Sequence, residues 1–133
     1  MAAATISLTR RVSLWAPVLM YMALIFFVSS QPSAPLPQAV SDKFAHLLAY
    51  SVLGVLSVRA AGGGLPCQVT VPIALTALAI TSGYGALDEW RQGFVPGRSQ
   101  EIADWYADTA GAVISVGVCW AWGMMRALGR RSP

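Results

Sequence analysis

Four long apolar stretches divide the chain and constrain its fold more than any other feature. They cover residues 12–28, 44–61, 70–87 and 105–125. Each is about 17 to 21 residues long, and a helix rising 1.5 Å per residue needs about 20 residues to cross a hydrocarbon core about 30 Å thick. A segment in lipid must satisfy its own backbone hydrogen bonds, which favours helices. The sequence therefore predicts an all-α, polytopic membrane protein in which residues 1–133 form one four-helix transmembrane domain.

The composition supports lipid as the solvent for most of the chain. Of the residues, 56% are hydrophobic and only 11% are charged, whereas soluble domains carry about 25% charged residues. The net charge of +3 comes with no basic stripe and no nucleic-acid motif, so we expect membrane lipids and not nucleic acid as partners. Cys67 and Cys119 show neither a metal-binding spacing nor a disulfide framework, and we expect free thiols.

The charged residues predict how the helices are oriented. Six arginines lie near one set of segment ends: Arg10, Arg11, Arg59, Arg126, Arg130 and Arg131. Only Lys43, Arg91 and Arg98 lie near the other set. The positive-inside rule then places both termini in the cytoplasm of a multi-pass protein of the bacterial plasma membrane. All six acidic residues lie at the opposite, outer ends: Asp42, Asp88, Glu89, Glu101, Asp104 and Asp108.

The first apolar segment has a second interpretation. Arg10 and Arg11, the apolar run and the small residues at 29–34 also resemble a secretory signal peptide. We expect the segment to be retained, because the run is long for a signal and its loss would leave three spans. A proline-rich connection follows it, at residues 29–37.

Polar residues recur at helical spacing in the outer halves of three segments. Residues separated by three, four or seven positions share a helix face, and an ionisable group within the hydrocarbon normally faces a partner or water. The three faces predict a shared, outward-opening polar pocket. Asp104, at the start of the fourth segment, is also interpreted as a helix N-cap. The faces consist of Lys43, His46, Tyr50 and Ser57; of Thr81, Gly85, Asp88 or Glu89, and Gln92; and of Asp104, Asp108, Gly111 and Ser115.

Three motifs in order resemble the VanZ-like family, which is named for a teicoplanin-resistance protein. They are SDKFAHLLAY at residues 41–50, GALDEWRQGFVPGR at 85–98 and DWYADTAG at 104–111. The family's pattern is D-K-x-x-H-x-x-x-Y, then D-E-x-x-Q-x-x-x-P-G-R, then D-x-x-x-N-x-x-G. The resemblance spans residues 27–112 and includes the Ser-Ser-Gln-Pro string at 29–32. It implies a small multi-helix membrane fold and assigns no biochemical activity.

The resemblance carries the family's motif positions onto individual residues of this chain. They are Asp42, Lys43, His46, Tyr50, Asp88, Glu89, Gln92, Arg98, Asp104 and Gly111. Two positions depart from the pattern, since Asp108 stands where many members carry Asn and Arg91 where many carry His. We expect the added acid and the added cation to pair with each other or to indicate a different ligand.

Two functional hypotheses follow from these residues. In the first, the pocket binds an envelope lipid, a cell-wall precursor or a glycopeptide-like ligand and contributes to glycopeptide resistance. Arginine suits the bidentate recognition of anions, and acids suit amines. The expected ligand-binding residues are Asp42, Lys43, Tyr50, Gln92, Arg98, Asp104 and Asp108.

In the second hypothesis, the chain is a membrane-embedded enzyme acting on an envelope lipid or glycan. Glu89 or Asp88 would act as a general acid or base with a pKa raised by burial and like charge, and His46 as its partner. A metal bound by His46, Asp88, Glu89 and Asp108 is an alternative within this hypothesis. No spacing specifies it, so no metal or cofactor is predicted. A proton path is disfavoured, because the inner halves carry almost nothing titratable except Arg59.

Overall fold

A computed structural model describes residues 7–32 and 41–130 of the chain. Over these ranges the protein consists of four α-helices with no strand: α1 (Leu8–Ser29), α2 (Asp42–Ala61), α3 (Val71–Gln92) and α4 (Ile102–Gly129). All four are long and apolar enough to cross a membrane. The predicted all-α architecture with four membrane-spanning helices is confirmed, and the chain is a multi-pass membrane protein.

The burial pattern differs from that of a soluble domain. Large apolar side chains such as Met20, Phe27 and Val118 lie exposed on the outside of the bundle. Charged and hydroxyl-bearing side chains occupy much of its interior, including Asp88, Asp108 and Ser115. Lipid accepts the apolar surface at no cost, whereas polar groups need partners inside the protein.

Every helix is longer than its apolar stretch. α1 begins at Leu8 and not at residue 12, and α3 continues beyond residue 87 to Gln92. α4 begins at Ile102 and not at residue 105. Backbone hydrogen bonding continues through polar residues at the ends of a span, because these residues can reach water or each other. As a result Asp88, Glu89 and Gln92 lie on α3 itself and not in the connection after it.

Serine caps begin the first two helices. The Ser7 hydroxyl accepts a hydrogen bond from the backbone N–H of Arg10, and Ser41 accepts one from Phe44, as N-caps do. The N-cap of α4 is Glu101, and Asp104 lies within the first turn. The interpretation of Asp104 as the cap is therefore wrong, although its carboxylate still lies near the positive end of the helix dipole.

Small residues bring α2 and α4 into the closest packing of the bundle. A Cβ added to Gly111 would lie 2.6 Å from the Leu47 carbonyl oxygen and 2.8 Å from the Ser51 nitrogen. The Ser115 hydroxyl donates to the Ser51 carbonyl at 2.6 Å. Helices in membranes associate through such close contacts, because lipid provides no hydrophobic driving force between them. Gly111 and Ser115 thus form the small-residue contact that their spacing predicts.

The helices alternate in direction, so two distinct ends result. At one end α1 and α3 finish and α2 and α4 begin; we call it the acidic end, since the six acids lie there. At the opposite end, Arg10 donates to the Gly63 carbonyl at 3.1 Å and Arg59 to the Ser13 carbonyl at 3.2 Å. Both cysteines are free thiols, as expected. Arg131 and residues 33–37 of the predicted connection lie outside the described residues.

Candidate functional site

The acidic end carries six carboxylates of different burial. Asp88, Glu89, Asp104 and Asp108 are buried, whereas Glu101 is exposed and Asp42 is partly exposed. Asp104 lies in the first turn of α4 and Asp42 in the first turn of α2, where the helix dipole favours negative charge. Asp88 and Glu89 lie near the end of α3, where the dipole disfavours it. Their charge therefore requires specific partners.

His46 of α2 and Asp108 of α4 form the central contact of the site. Nδ1 of His46 lies 2.9 Å from Oδ1 of Asp108, and both side chains are buried. The Tyr50 ring stacks parallel to the imidazole one turn along α2, with centroids 6.2 Å apart and planes inclined by 6°. The spacing of these residues in the sequence places them on one face of α2. In the structure His46 contacts α4, whereas Tyr50 belongs to the core cluster that α1 joins and lies near Tyr84 of α3.

Asp88 belongs to a separate cluster that joins α3 to the end of α1. Its Oδ1 accepts a hydrogen bond from the Ser29 hydroxyl at 2.7 Å and one from Arg91 at 2.8 Å. Arg91 also donates to Ser29 and, at 2.9 Å, to the Ser30 hydroxyl. The guanidinium lies 4.4 Å from the centre of the Phe26 ring, in cation–π geometry. Arg91 thus offsets the unfavourable dipole at Asp88 and attaches α1 to the bundle.

Glu89 is held by two donors. Nε2 of Gln92 lies 3.1 Å from Oε1 of Glu89 and 3.2 Å from Oδ2 of Asp88. The backbone N–H of Glu101 donates to Oε2 of Glu89 at 3.0 Å. Gln92, itself buried, therefore connects the two acids of α3, and the loop before α4 fixes the orientation of the Glu89 carboxylate.

The edge of the site carries a set of ion pairs that we call the rim, and Lys43 neutralises two of its acids. The rim consists of Asp42, Lys43, Arg98, Glu101 and Asp104. The Nζ of Lys43 lies 2.9 Å from Glu101 and 3.2 Å from Asp104. The hydrogen bond from Lys43 holds the pKa of the exposed Glu101 carboxyl below its ordinary value. Lys43 is one of the expected ligand-binding residues, and a ligand would compete with two carboxylates that already surround its ammonium group.

Arg98 makes a looser contact than the other cations. Its guanidinium lies 3.9 Å from Asp42, and the Arg98 side chain is 13% exposed. Nε of Arg98 is buried and makes no hydrogen bond among residues 7–32 and 41–130. Of the three cations at the acidic end, Arg98 is the one with the weakest carboxylate contact, and so the best placed to receive an anionic group.

A cleft opens between α1 and α2 beside these residues. It encloses about 180 Å³. Its walls are apolar: Leu24, Ile25 and Val28 come from α1, and Ala45 and Ala49 from α2. Its polar lining consists of Tyr21, Ser29, Asp42, His46, Tyr50 and Asp88.

This cleft continues into the lipid-facing surface. Leu24 is 52% exposed and Val28 is 38% exposed, so two of its wall residues also form the outside of the bundle. A ligand can therefore lie with an apolar part toward the lipid and a polar part against His46 and Asp88.

A comparison of the chain with protein-family models identifies its family. The VanZ/LLP1 family model matches residues 14–124. This chain belongs to the VanZ/LLP1 family. Searches of curated proteins and of solved structures found no significant match.

The two positions that depart from the pattern of this VanZ/LLP1 family do not pair with each other. Arg91 binds Asp88, Ser29 and Ser30, and Asp108 contacts His46. The first of the two alternatives, that they pair with each other, is wrong, because α3 turns Arg91 toward α1 while Asp108 lies on the face of α4 that packs against α2. The second alternative, a different ligand, stays a prediction. The added acid and the added cation thus enter two different clusters.

Two serines of this VanZ/LLP1 protein join the site although helical spacing did not place them on any of the three polar faces. Ser29 is the last residue of α1 and Ser30 is its C-cap. Ser29 donates to Asp88, and Ser30 accepts from Arg91. Two signals in the sequence pointed to them: their position at the end of an apolar span, beside the acidic end, and the Ser-Ser-Gln-Pro string at residues 29–32 that resembles the family. The other predicted site residues lie at the acidic end, divided between the His46–Asp108 contact, the Asp88–Arg91 cluster, the Glu89–Gln92 pair and the rim.

Proposed function

We propose that this VanZ/LLP1 protein binds an amphiphilic envelope molecule, a lipid or a lipid-linked cell-wall precursor, in the cleft between α1 and α2. The observation that carries the proposal is the cleft itself, with apolar walls that continue into the lipid-facing surface and a polar lining at the acidic end. An amphiphile matches both surfaces at once, whereas a wholly polar solute leaves the apolar walls unpaired.

The size of the cleft favours a lipid over a glycopeptide. About 180 Å³ is less than the roughly 300–1,000 Å³ of a pocket that engulfs a drug-sized molecule. The cleft suits part of a head group and the first segment of a chain. Only one segment of a glycopeptide would fit into the cleft. A contribution to glycopeptide (teicoplanin) resistance is a hypothesis taken from the family resemblance, and a resistance assay on a deletion strain tests it.

The polar lining indicates the chemistry of the head group. Asp42 lines the cleft with a side chain that is 44% exposed, and its oxygen acceptors suit a ligand with hydroxyl or amine donors. Ser29 and Asp88 are already hydrogen-bonded to each other and to Arg91. Arg98, beside Asp42, suits a phosphate at the mouth of the cleft. We infer that the ligand carries a phosphate together with hydroxyl or amine groups, and that the acidic end lies at the outer face of the bacterial plasma membrane.

Native mass spectrometry of the protein purified from its own membrane tests the binding function. We expect the wild-type protein to retain an amphiphile, and Ala49→Trp, which fills the cleft with a bulky side chain, to lose most of it. Ala110→Trp, on an exposed position of α4, is the matched control and should retain the wild-type amount. Equal occupancy in the wild-type protein and in Ala49→Trp contradicts the proposal.

A membrane-embedded enzyme is the second candidate, and one contact favours it. His46 lines the cleft while its Nδ1 is held by Asp108, an arrangement that orients an imidazole for proton transfer. Under this function His46→Ala and Glu89→Gln should accumulate a substrate lipid that the wild-type protein converts. Recovery of the same molecule from the wild-type protein and from both variants excludes the enzyme and leaves the binding function.

A further inference from the structure

Three buried side chains from three different helices converge at the centre of the acidic end. His46 of α2, Glu89 of α3 and Asp108 of α4 each place one ligand atom within 4.8 Å of the others. We propose that these three residues bind a divalent transition-metal ion, of the Mn²⁺, Fe²⁺ or Zn²⁺ class. The proposal does not depend on what the cleft between α1 and α2 holds.

The distances suit a metal centre. Two ligand atoms at about 2.1 Å from an ion and at right angles to each other are about 3.0 Å apart. Nδ1 of His46 and Oδ1 of Asp108 are 2.9 Å apart, so this pair already has the spacing of adjacent ligands. Opposite ligands of an octahedral ion are about 4.2 Å apart. A small movement of the Glu89 carboxylate completes a three-residue set.

One oxygen of Asp108 points independently to a cation. The Asp108 side chain is 0% exposed, and its Oδ2 makes no hydrogen bond within residues 7–32 and 41–130. A buried carboxylate oxygen without a donor is costly, because it has lost its water. Oδ2 lies against α3, only 2.7 Å from where a Cβ at Gly85 would stand. Gly85 thus makes room for this carboxylate one turn before Glu89.

The charges at the acidic end are also unbalanced. The chain's six acids lie there, against the three permanent cations Lys43, Arg91 and Arg98. Lys43 contacts Glu101 and Asp104, Arg91 contacts Asp88, and Arg98 contacts Asp42. No Lys or Arg of the described ranges forms a salt bridge with Glu89 or Asp108. A divalent ion with a neutral imidazole and two carboxylates gives a neutral centre, which suits a buried position.

The ligand set favours particular metals. One imidazole nitrogen with two carboxylates suits Mn²⁺, Fe²⁺ or Zn²⁺, whereas thiolate sites select soft ions and all-oxygen sites select Ca²⁺ or Mg²⁺. The Glu89 carboxylate is already oriented by Gln92 and by the Glu101 backbone. Such supporting hydrogen bonds are typical of metal ligands. Three protein ligands leave coordination positions for water or a head-group oxygen.

A second hollow borders Glu89. A hollow lined by Ala86, Glu89, Gln100, Ile102 and Trp105 lies between α3 and the start of α4. Glu89 therefore borders this hollow, and His46 borders the cleft. The hollow and the cleft share no lining residue, so Glu89 is approached from a space separate from the one that we assign to an amphiphile.

A competing set shares His46. Asp42 and Asp104 also place ligand atoms within 4.8 Å of that imidazole. Asp104 already accepts a hydrogen bond from Lys43, and Asp42 lies near Arg98 and is partly exposed. These cations compete with a metal there, so the buried set with Glu89 and Asp108 is favoured.

Metal titration of the full chain tests the site. The protein is purified in detergent without a polyhistidine tag, stripped with EDTA and titrated with Mn²⁺ or Zn²⁺ alone by calorimetry, with bound metal counted by mass spectrometry. We expect one ion per chain. Glu89→Gln and Asp108→Asn should each weaken binding at least about tenfold, since even indirect supports of a metal cost about 10- to 100-fold. Asp104→Asn is the matched control and should stay within about threefold of wild type.

A measurement on the wild-type protein removes the risk that a variant misfolds. Pulsed electron paramagnetic resonance of bound Mn²⁺ should show coupling to one imidazole nitrogen, and this coupling should vanish in His46→Gln. The proposal is overturned if the wild-type protein takes up no more metal than the Glu89→Gln/Asp108→Asn double variant. Bound Mn²⁺ without nitrogen coupling also overturns it, as does loss of binding in Asp104→Asn with retention in Glu89→Gln.

Discussion

The carboxylate of Asp108 and the imidazole of His46 meet at 2.9 Å across the interface between α4 and α2. Both side chains are buried, and the contact lies one turn from Gly111, where the two helices approach most closely. The same packing that stabilises the bundle therefore positions the central pair of the candidate site. Substitutions at this interface separate the contribution of the His46–Asp108 contact to stability from its contribution to the chemistry of the site.

Asparagine and alanine at position 108 should have different effects on stability. Asp108→Asn keeps a side-chain oxygen that accepts a hydrogen bond from Nδ1 of His46, and should cost less than about 1 kcal/mol. Asp108→Ala leaves a buried imidazole without its partner and should cost about 1–3 kcal/mol. Reversible unfolding in detergent measures both free energies. Equal stability of the two variants contradicts a structural role for the hydrogen bond.

Gly111 and Gly117 provide a matched pair of glycines on α4. A Cβ at Gly111 would meet the α2 backbone at 2.6 and 2.8 Å, whereas nothing lies within 4 Å of a Cβ at Gly117. Gly111→Ala should therefore destabilise the bundle by about 1–3 kcal/mol through overpacking. Gly117→Ala should be neutral or stabilise it by up to about 1 kcal/mol, since alanine favours helix. Unfolding in detergent again gives the comparison, and a neutral Gly111→Ala shows that the helices can separate without cost.

The architecture and the grouping of polar faces were predictable from local sequence features. The length of an apolar run determines whether a helix can cross the bilayer, and spacing by three and four places His46 and Tyr50, or Asp104 and Asp108, on one face. The ends of the helices were less predictable, because hydrogen bonding in α3 continues through Asp88 and Glu89 to Gln92. Apolar length alone contains no information about that continuation.

Part of the partner choice within the site was not predictable from the sequence. Asp88 lies three residues before Arg91 on α3, so helical spacing already brings this pair together, but only the packing of α1 against α3 adds the two serines. The cleft is equally a product of tertiary packing, since its walls combine α1 residues with the alanines of α2. Such contacts depend on the rotation of each helix about its axis, which periodicity leaves open.

Arg91 and Asp88 should show strong energetic coupling. Arg91→Met leaves the buried Asp88 carboxylate without its cation and should cost about 3–5 kcal/mol. The double variant Arg91→Met/Asp88→Asn removes the charge as well and should recover part of that loss. Arg91→Lys keeps the positive charge but loses the planar guanidinium whose nitrogens donate to Ser29 and Ser30. Its stability should fall between those of wild type and Arg91→Met. A double-mutant cycle measures the coupling, and additive single effects contradict it.

The Lys43–Glu101 contact should make stability depend on pH in acid. Lys43 lowers the pKa of Glu101 from its ordinary value of 4.5, so the folded state holds this proton less tightly than the unfolded state. The resulting stability is complete above about pH 4.5 and is lost as the pH falls through the lowered pKa. The effect should be small and should weaken with salt, since both groups are exposed.

Glu101→Gln isolates that effect. Its unfolding midpoint should lie below that of wild type at neutral pH, and the difference should shrink as the pH falls below 4.5. Unfolding in detergent at low ionic strength, from pH 3 to 7, measures both curves. A difference that is constant across this range shows that Glu101 titrates alike in the folded and unfolded states.

Thiol labelling tests the orientation that the arginine distribution predicts. Cys67 lies in the connection between α2 and α3 and is partly accessible, whereas Cys119 is buried in α4. With both termini in the cytoplasm, a membrane-impermeant maleimide should label Cys67 only after the cells are permeabilised. Because burial raises the pKa of Cys67, less of the reactive thiolate is present at neutral pH, and labelling should accelerate as the pH rises.

Ser99→Cys in a Cys67→Ser/Cys119→Ser background tests the opposite end, because it places a thiol on the exposed loop of the acidic end. This thiol should be labelled in intact cells, since the acidic end then faces outward. Labelling of Cys67 in intact cells, with Ser99→Cys protected until permeabilisation, reverses the orientation and moves the proposed cleft to the cytoplasmic leaflet.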